Sequence, residues 1–130
     1  MDIDPITKNK LAKIGCRTMG KNRLLCKGNT VQIHEYTKKQ LHKTFGRDIY
    51  GTFLHNPPRA IVRKELPSSV KNHVLIHELE HYIRSNPREL STNIHSFMID
   101  PKGWTKTAKM TLLDRERRDF YSKKYLKKWE

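Results

Sequence analysis

The run His77-Glu78-Leu79-Glu80-His81 constrains this chain more than any other part of its sequence. Two histidines four positions apart lie on the same face of an α-helix, one turn from each other. The apolar residues between positions 72 and 85 include pairs three and four apart, which is the spacing of a half-buried helix. The sequence therefore predicts a helix that presents two imidazole rings side by side.

The spacing of His77 and His81 suits the binding of one Zn²⁺ ion per chain through their ring nitrogens. Glu78 directly follows the first histidine, so we expect its carboxylate beside a water molecule on the metal. Zinc lowers the pKa of such a water to about 7, and a carboxylate can accept its proton and pass it to a leaving amine. The pattern predicts a zinc hydrolase with Glu78 as general base. The competing interpretation is a helix whose histidines are ordinary polar residues.

A catalytic zinc ion usually takes three protein ligands, and Glu89 is the first acidic residue after the motif. On one straight helix Glu89 would lie about 12 Å along the axis from His81, too far to share a metal. The segment Ser85-Asn86-Pro87 predicts a helix end followed by a second helix, running from Pro87 through about Met98. Such a reversal would bring Glu89 back towards the zinc ion.

Several residues after the motif have more than one interpretation. Glu89 also fits a capping box that begins at Asn86, in which its side chain would bind a backbone N–H. Asn93 lies four residues after Glu89, and it is either a solvent-exposed helix residue or a partner that orients a zinc-binding histidine. His95 and Asp100 are alternative third ligands. The candidates for stabilising an oxyanion besides the zinc are His95, His73 and Tyr82.

The residues from His77 to Asn93 resemble the pattern of the gluzincin metallopeptidases. In that pattern a glutamate on a second helix completes H-E-x-x-H, followed by a small residue three positions later and Asp or Asn four positions later. Thr92 and Asn93 occupy those places after Glu89. The short chain is similar to small gluzincins, both the ImmA/IrrE-like peptidases and the minigluzincins. The resemblance implies zinc bound by His77, His81 and Glu89, with Glu78 as the general base of peptide hydrolysis.

The resemblance also implies a zincin-like α+β fold, and the chain length predicts a single domain, residues 1–130. Such a fold packs a small mixed sheet on the H-E-x-x-H helix, together with a second, glutamate-bearing helix and a C-terminal helix. Two β-prone runs, 49–55 and 60–63, flank a proline-rich turn. In zincins a strand along the cleft binds the substrate, and either run can serve. Further expected elements are a strand at 30–33, helices at 37–45 and 105–129, and a hairpin or an irregular segment within 1–30.

The N-terminus does not have the pattern of a secretory signal, and no apolar run is long enough to span a membrane. These features predict a cytoplasmic protein. Cys16 and Cys26 lie ten positions apart, outside any C-x-x-C pattern. In a reducing compartment we expect them to be two buried thiols rather than a disulfide.

The chain carries a formal net charge of +14, and an excess of this size attracts polyanions, nucleic acid above all. Residues 72–100, which contain the motif, form a net negative segment between basic ones. Basic and aromatic residues alternate in 115–129, which fits either base stacking or a core-facing helix stripe. The second hypothesis is therefore a basic nucleic-acid-binding or regulatory module with a structural or vestigial zinc site. Small gluzincins can also be latent, and either terminus is a candidate for covering the cleft.

Overall fold

A computed structural model describes residues 1–84 and 96–114 of the chain. The fold is α+β, as predicted, with one five-stranded mixed sheet and helices against it. In chain order the elements are α1 (Pro5–Lys13), β1 (Cys16–Thr18), β2 (Arg23–Cys26), β3 (Asn29–Tyr36), α2 (Lys38–Phe45), β4 (Gly51–His55), β5 (Pro58–Arg63) and α3 (Ser68–Arg84), followed by helices over 96–99 and 101–114, named α4 and α5.

The strand order across the sheet is β1-β2-β3-β5-β4. Strands β3 and β5 run parallel, and every other neighbouring pair is antiparallel. The two predicted β-prone runs form β4 and β5, joined by a turn that contains a cis peptide bond before Pro57. Because β5 lies between β3 and β4, only β4 of this pair is at an edge of the sheet.

Helices α1 and α3 cover one face of the sheet and enclose the main core. From α3 the core receives Leu75, Ile76 and Leu79, which are fully buried. The strands contribute alternate residues, among them Ala60 and Val62 on β5. Burying an aliphatic side chain of this size contributes about 1.5–3 kcal/mol, so the helix that carries the motif is fixed firmly against the sheet.

Helix α2 lies against the opposite face of the sheet. It contacts β3, and its Leu41 is fully buried. Ile61 is also buried but does not belong to the main core cluster. It alternates along β5 with the core residues Ala60 and Val62, so its side chain points to the α2 side of the sheet. The helix begins with a capping box between Thr37 and Gln40 and ends at Gly46, whose φ of 72° is left-handed. The prediction of a helix over 37–45 that stops at this glycine is confirmed.

The first thirty residues contain a helix as well as the hairpin that was one of the expected alternatives. Asp4 caps α1 by accepting a hydrogen bond of 2.7 Å from the backbone N–H of Thr7, and that bond lowers the pKa of the Asp4 carboxyl. Pro5 occupies the first turn of the helix, where its missing N–H costs nothing. The amphipathic pattern of α1 is weak, so the cap is its clearest sequence signal.

Cys16 and Cys26 form a disulfide, so the expectation of two separate thiols is wrong. Both side chains are buried, as predicted. Strands β1 and β2 pair with Cys16 directly opposite Cys26, and the two Cα atoms are 4.2 Å apart. A separation of ten residues is compatible with such a hairpin, but the sequence does not reveal the register that brings the sulfur atoms together.

Helix α5 begins at residue 101, four positions before the predicted C-terminal helix. The rest of that prediction, including the basic and aromatic residues of 115–129, lies outside the described residues. The predicted second helix from Pro87 overlaps the described chain only at α4. None of the helices in the described part of the chain is long and apolar enough to cross a membrane.

Candidate metal centre

Helix α3 carries His77, Glu78 and His81 in the downstream half of its length. The two histidines are half-buried, and their Nε2 atoms lie 3.1 Å apart. Their rings are nearly perpendicular, with centroids 4.7 Å apart. Two nitrogens bound at about 2.05 Å to a tetrahedral zinc ion would be separated by about 3.3 Å. The pair therefore fits two ligand positions of one zinc ion.

Glu78 lies on the side of α3 that faces the start of β4. A Cβ added to Gly51 would lie 3.6 Å from the Cγ atom of Glu78 and 2.5 Å from Cγ1 of Val74. Because Val74 and Glu78 are four apart, they belong to one stripe of the helix, next to the stripe of His77 and His81. Gly51 has no side chain, and this lets the edge strand approach the helix at the general-base position.

Aromatic side chains continue this contact towards the end of α3. Phe53 stacks on Tyr82, with ring centroids 4.6 Å apart and an angle of 19° between the planes. The ring of His55 lies 5.2 Å from that of Phe53. Alternate residues of β4 thus face α3, with Gly51 against helix positions 74 and 78, and Phe53 and His55 against position 82. The edge strand therefore lies along the helix beside the candidate metal ligands.

The outer edge of β4 presents main-chain hydrogen-bonding groups of alternate residues. The backbone N–H of Arg63 donates to the carbonyl of Tyr50 over 2.8 Å, so these two residues form a hydrogen-bonded antiparallel pair. Bonded and non-bonded pairs alternate along an antiparallel ladder. The N–H and C=O groups of Gly51, Phe53 and His55 therefore point away from β5. The position of Pro58 opposite His55 agrees, because proline has no N–H to donate.

Upstream on α3, His73 belongs to a buried charged network. Its Nδ1 lies 3.1 Å from Oδ2 of Asp100, and Lys10 donates to Oδ1 of the same carboxylate over 2.6 Å. The backbone N–H of Gly103 is a further donor at 3.3 Å. Burial by itself raises the pKa of Asp100, but the hydrogen bonds from His73 and Lys10 outweigh it and lower that pKa to about 2. Asp100 is therefore a charged, fully engaged structural residue.

This network corrects two of the expectations for the site. Asp100 binds His73 and Lys10 and does not approach His77 and His81 as a third ligand. His73 is only 3% exposed and is paired with Asp100, so it does not face a substrate. Within residues 1–84 and 96–114, no three His, Cys, Asp or Glu side chains are close enough together to hold a metal ion. The other candidates, Glu89, Asn93 and His95, lie outside the described residues.

Tyr50 and Gly51 position the start of β4, and sequence reasoning did not single them out. The hydroxyl of Tyr50 donates to Asp114 near the end of α5, and the Arg63 guanidinium lies 5.2 Å from the centroid of the Tyr50 ring. Burial first, and then the bond to Asp114, raises the pKa of Tyr50 to about 12. A glycine inside a β-prone run is a known sign of close backbone approach and would have indicated Gly51.

Comparison of the chain with protein-family models, with curated proteins and with solved structures finds no match. Three of the predicted site residues, His77, Glu78 and His81, lie together in the downstream half of α3, which brings the two histidines within 3.1 Å of each other.

Proposed function

We propose that this chain is a zinc-dependent metallopeptidase with a zincin-like fold, of the small gluzincin type. The observation that carries the proposal is the 3.1 Å separation of the Nε2 atoms of His77 and His81. Glu78 supports it, because its side chain lies on the adjoining helix stripe and faces an edge strand. A pair of histidines serving only the fold would not require a carboxylate at this position.

The third ligand in this proposal is Glu89, as the resemblance to gluzincins implies. Two imidazoles leave room in a tetrahedral site for one more protein ligand and one water or substrate atom. Asn93 would orient one of the histidines, and His95 would donate a hydrogen bond to the oxyanion. These three assignments come from the sequence, and substitution experiments are the way to test them.

In this mechanism Glu78 is the residue that carries the proton transferred during peptide hydrolysis. When bound, zinc supplies an acidified water and polarises the carbonyl of the scissile peptide. The carboxylate of Glu78 accepts the proton of the attacking water and then delivers it to the nitrogen of the leaving amine. His77 and His81 would hold the zinc ion through their Nε2 atoms.

The substrate in this proposal is an extended peptide that adds as a strand to β4. The outward N–H and C=O groups of Gly51, Phe53 and His55 would pair with the main chain of the peptide. Main-chain pairing tolerates many sequences, because it does not depend on the substrate side chains. Side chains that point towards α3 would meet the stacked rings of Phe53 and Tyr82, which favours apolar residues there.

The test is to measure zinc content and hydrolysis of an unfolded protein for wild type and for Glu78→Gln. We expect the variant to keep its zinc and to lose a factor of about 10²–10⁴ in kcat, the usual contribution of a general base. Asp48→Asn is a matched control, because it removes a carboxylate from an exposed pair with His42. Wild-type protein that takes up no zinc, or equal kcat values for wild type and Glu78→Gln, would contradict the proposal.

A further inference from the structure

The sheet has a second face that neither α3 nor the candidate metal centre uses. Along β2, Leu24 and Cys26 are buried in the core, whereas Arg23 is exposed. Along β3, Val31 and Ile33 are buried, whereas Gln32 between them is exposed. Because side chains alternate between the faces of a strand, the exposed residues share the face opposite α1 and α3.

Strand register places three arginines on this face, of which Arg17 and Arg23 are exposed and Arg59 is half-buried. Arg23 pairs with Gln32, and Gln32 pairs with Arg59, so these three side chains form one row across β2, β3 and β5. Neighbouring strands are about 4.8 Å apart, which puts the Cα atoms of Arg23 and Arg59 about 10 Å apart. Arg17 pairs with Leu25, two residues along from Arg23, so its Cα lies about 8 Å from that of Arg23. Together, Arg17, Arg23 and Arg59 form a basic face of the sheet.

No acidic side chain from the five strands neutralises the basic face. Glu35 is the acidic residue of these strands, and it accepts a hydrogen bond of 3.0 Å from Lys71 on α3, on the core side. Helix α2 packs on the same side of the sheet as the basic face. Its exposed lysines extend the positive charge there: Lys38, Lys39 and Lys43.

We propose that the basic face binds the phosphate backbone of nucleic acid. Each strand of a duplex carries a phosphate about every 3.4 Å along its axis, so cations 8–10 Å apart can meet every second or third phosphate. Arginine suits this role because its planar guanidinium donates two parallel hydrogen bonds to phosphate oxygens. Contacts of this kind are made to phosphates and not to base edges, so binding should depend little on base sequence.

The described surface favours nucleic acid over an anionic membrane. A protein that binds lipid by insertion exposes large apolar side chains next to its basic residues. On the basic face the apolar neighbours Leu25 and Leu54 are half-buried. The strongly exposed apolar side chains of the described chain lie outside the strands: Ile6, Met19, Phe97, Met98, Leu112 and Leu113.

The test is fluorescence anisotropy with a labelled single strand and a labelled duplex of equal length, over a range of salt concentrations. The face variant is Arg17→Gln/Arg23→Gln/Arg59→Gln. The control variant, Lys8→Gln/Lys13→Gln/Lys106→Gln, removes the same charge from exposed positions on α1 and α5. We expect the face variant to raise Kd at low salt by at least about tenfold and to reduce the slope of log K against log salt by about 3. The control should keep both values close to those of wild type.

Three results would overturn the proposal. One is equal weakening in both triple variants, which would mean that net charge alone attracts the probe. Another is the absence of salt-dependent binding by wild type at low salt. The third is tighter binding of wild type to phosphatidylserine vesicles than to either oligonucleotide. If circular dichroism shows that the face variant is unfolded, Arg23→Gln alone replaces it, with an expected slope change of about 1. Hydrolysis by the same variants should be unchanged, so this test and that of the peptidase are independent.

Discussion

Three histidines follow one another at four-residue intervals on α3, yet the two halves of the helix treat them differently. His73, in the upstream half, is buried and paired with Asp100. His77 and His81, in the downstream half, are half-buried and turn their Nε2 atoms towards each other. The helix gives all three the same stripe, so the neighbouring elements decide which of them can reach a ligand.

Each half of α3 is in close contact with a glycine, and the two glycines lie on different neighbouring elements. Gly103 of α5 lies against His73, where an added Cβ would be 2.9 Å from the Cβ of His73 and 2.2 Å from Oδ2 of Asp100. Gly51 of β4 lies against Val74 and Glu78 in the same way. A helix therefore covers the upstream half, while an edge strand flanks the downstream half. In the proposed function, the upstream half of α3 stabilises the fold and the downstream half binds the metal.

The largest difference between the two halves should be in the effect of histidine substitutions on zinc affinity. We expect His81→Ala to raise the Kd for zinc by more than about 100-fold, because it removes a direct ligand, whereas changes to residues behind the ligands cost about 10–100-fold. Folded His73→Ala should bind zinc within about tenfold of wild type. Titration with a zinc-sensitive dye measures both constants. Similar losses in the two variants would remove the distinction between the halves.

For the free energy of unfolding, we expect the larger effect from substitutions in the network of the upstream half. We expect Asp100→Ala to lower the free energy of unfolding by about 3–5 kcal/mol, because it leaves Lys10 and His73 without their buried carboxylate. Asp48→Ala, at an exposed pair, should cost at most about 1 kcal/mol. Urea denaturation followed by circular dichroism provides both values. If Asp100→Ala costs no more than Asp48→Ala, the network is not a stabilising one.

The two glycines offer a matched pair of smaller changes. Both Gly51→Ala and Gly103→Ala insert a methyl group into a close contact, which costs about 1–3 kcal/mol, offset at Gly103 by about 1 kcal/mol of helix propensity. Gly51→Ala should also lower kcat, because it pushes β4 away from Glu78. Gly103→Ala should leave kcat unchanged at a temperature where both variants are folded. Paired thermal melts and rate measurements distinguish these outcomes.

Acid should weaken the upstream half of α3 by protonating Asp100. Folding lowers the pKa of Asp100 from 3.8 to about 2, so its contribution is complete above about pH 4 and is lost as the pH falls towards 2. A shift of that size corresponds to about 2 kcal/mol. Asp100→Asn should therefore lose less stability than wild type between pH 4 and pH 2, as measured by urea denaturation at each pH. Parallel pH profiles for the two proteins would show that Asp100 does not titrate in this way.

Local signals in the sequence predicted α2, α3 and the strands around Pro57, because caps, a terminal glycine and apolar spacing act within a few residues of each other. They also indicated His77, Glu78 and His81, because these residues lie within about one turn of a predicted helix. The disulfide and the role of Asp100 could not be predicted in this way. Both depend on which elements meet in space: Cys26 is paired through strand register, and Asp100 through a partner 90 residues away.

Lys10 and Asp100 lie 90 residues apart in the chain, so their ion pair forms only after residue 100 is synthesised and only while α1 is still attached. The whole of α3, including the H-E-x-x-H run, is made before residue 100 exists. A nascent chain, or a fragment that ends before that residue, has His73 and Lys10 without their shared carboxylate. In the same way, a proteolytic cut that removes α1 takes Lys10 away from a buried anion. If the proposed peptidase is latent, an activating cleavage that spares α1 would keep Lys10 on Asp100, whereas a cleavage that removes α1 should destabilise the chain.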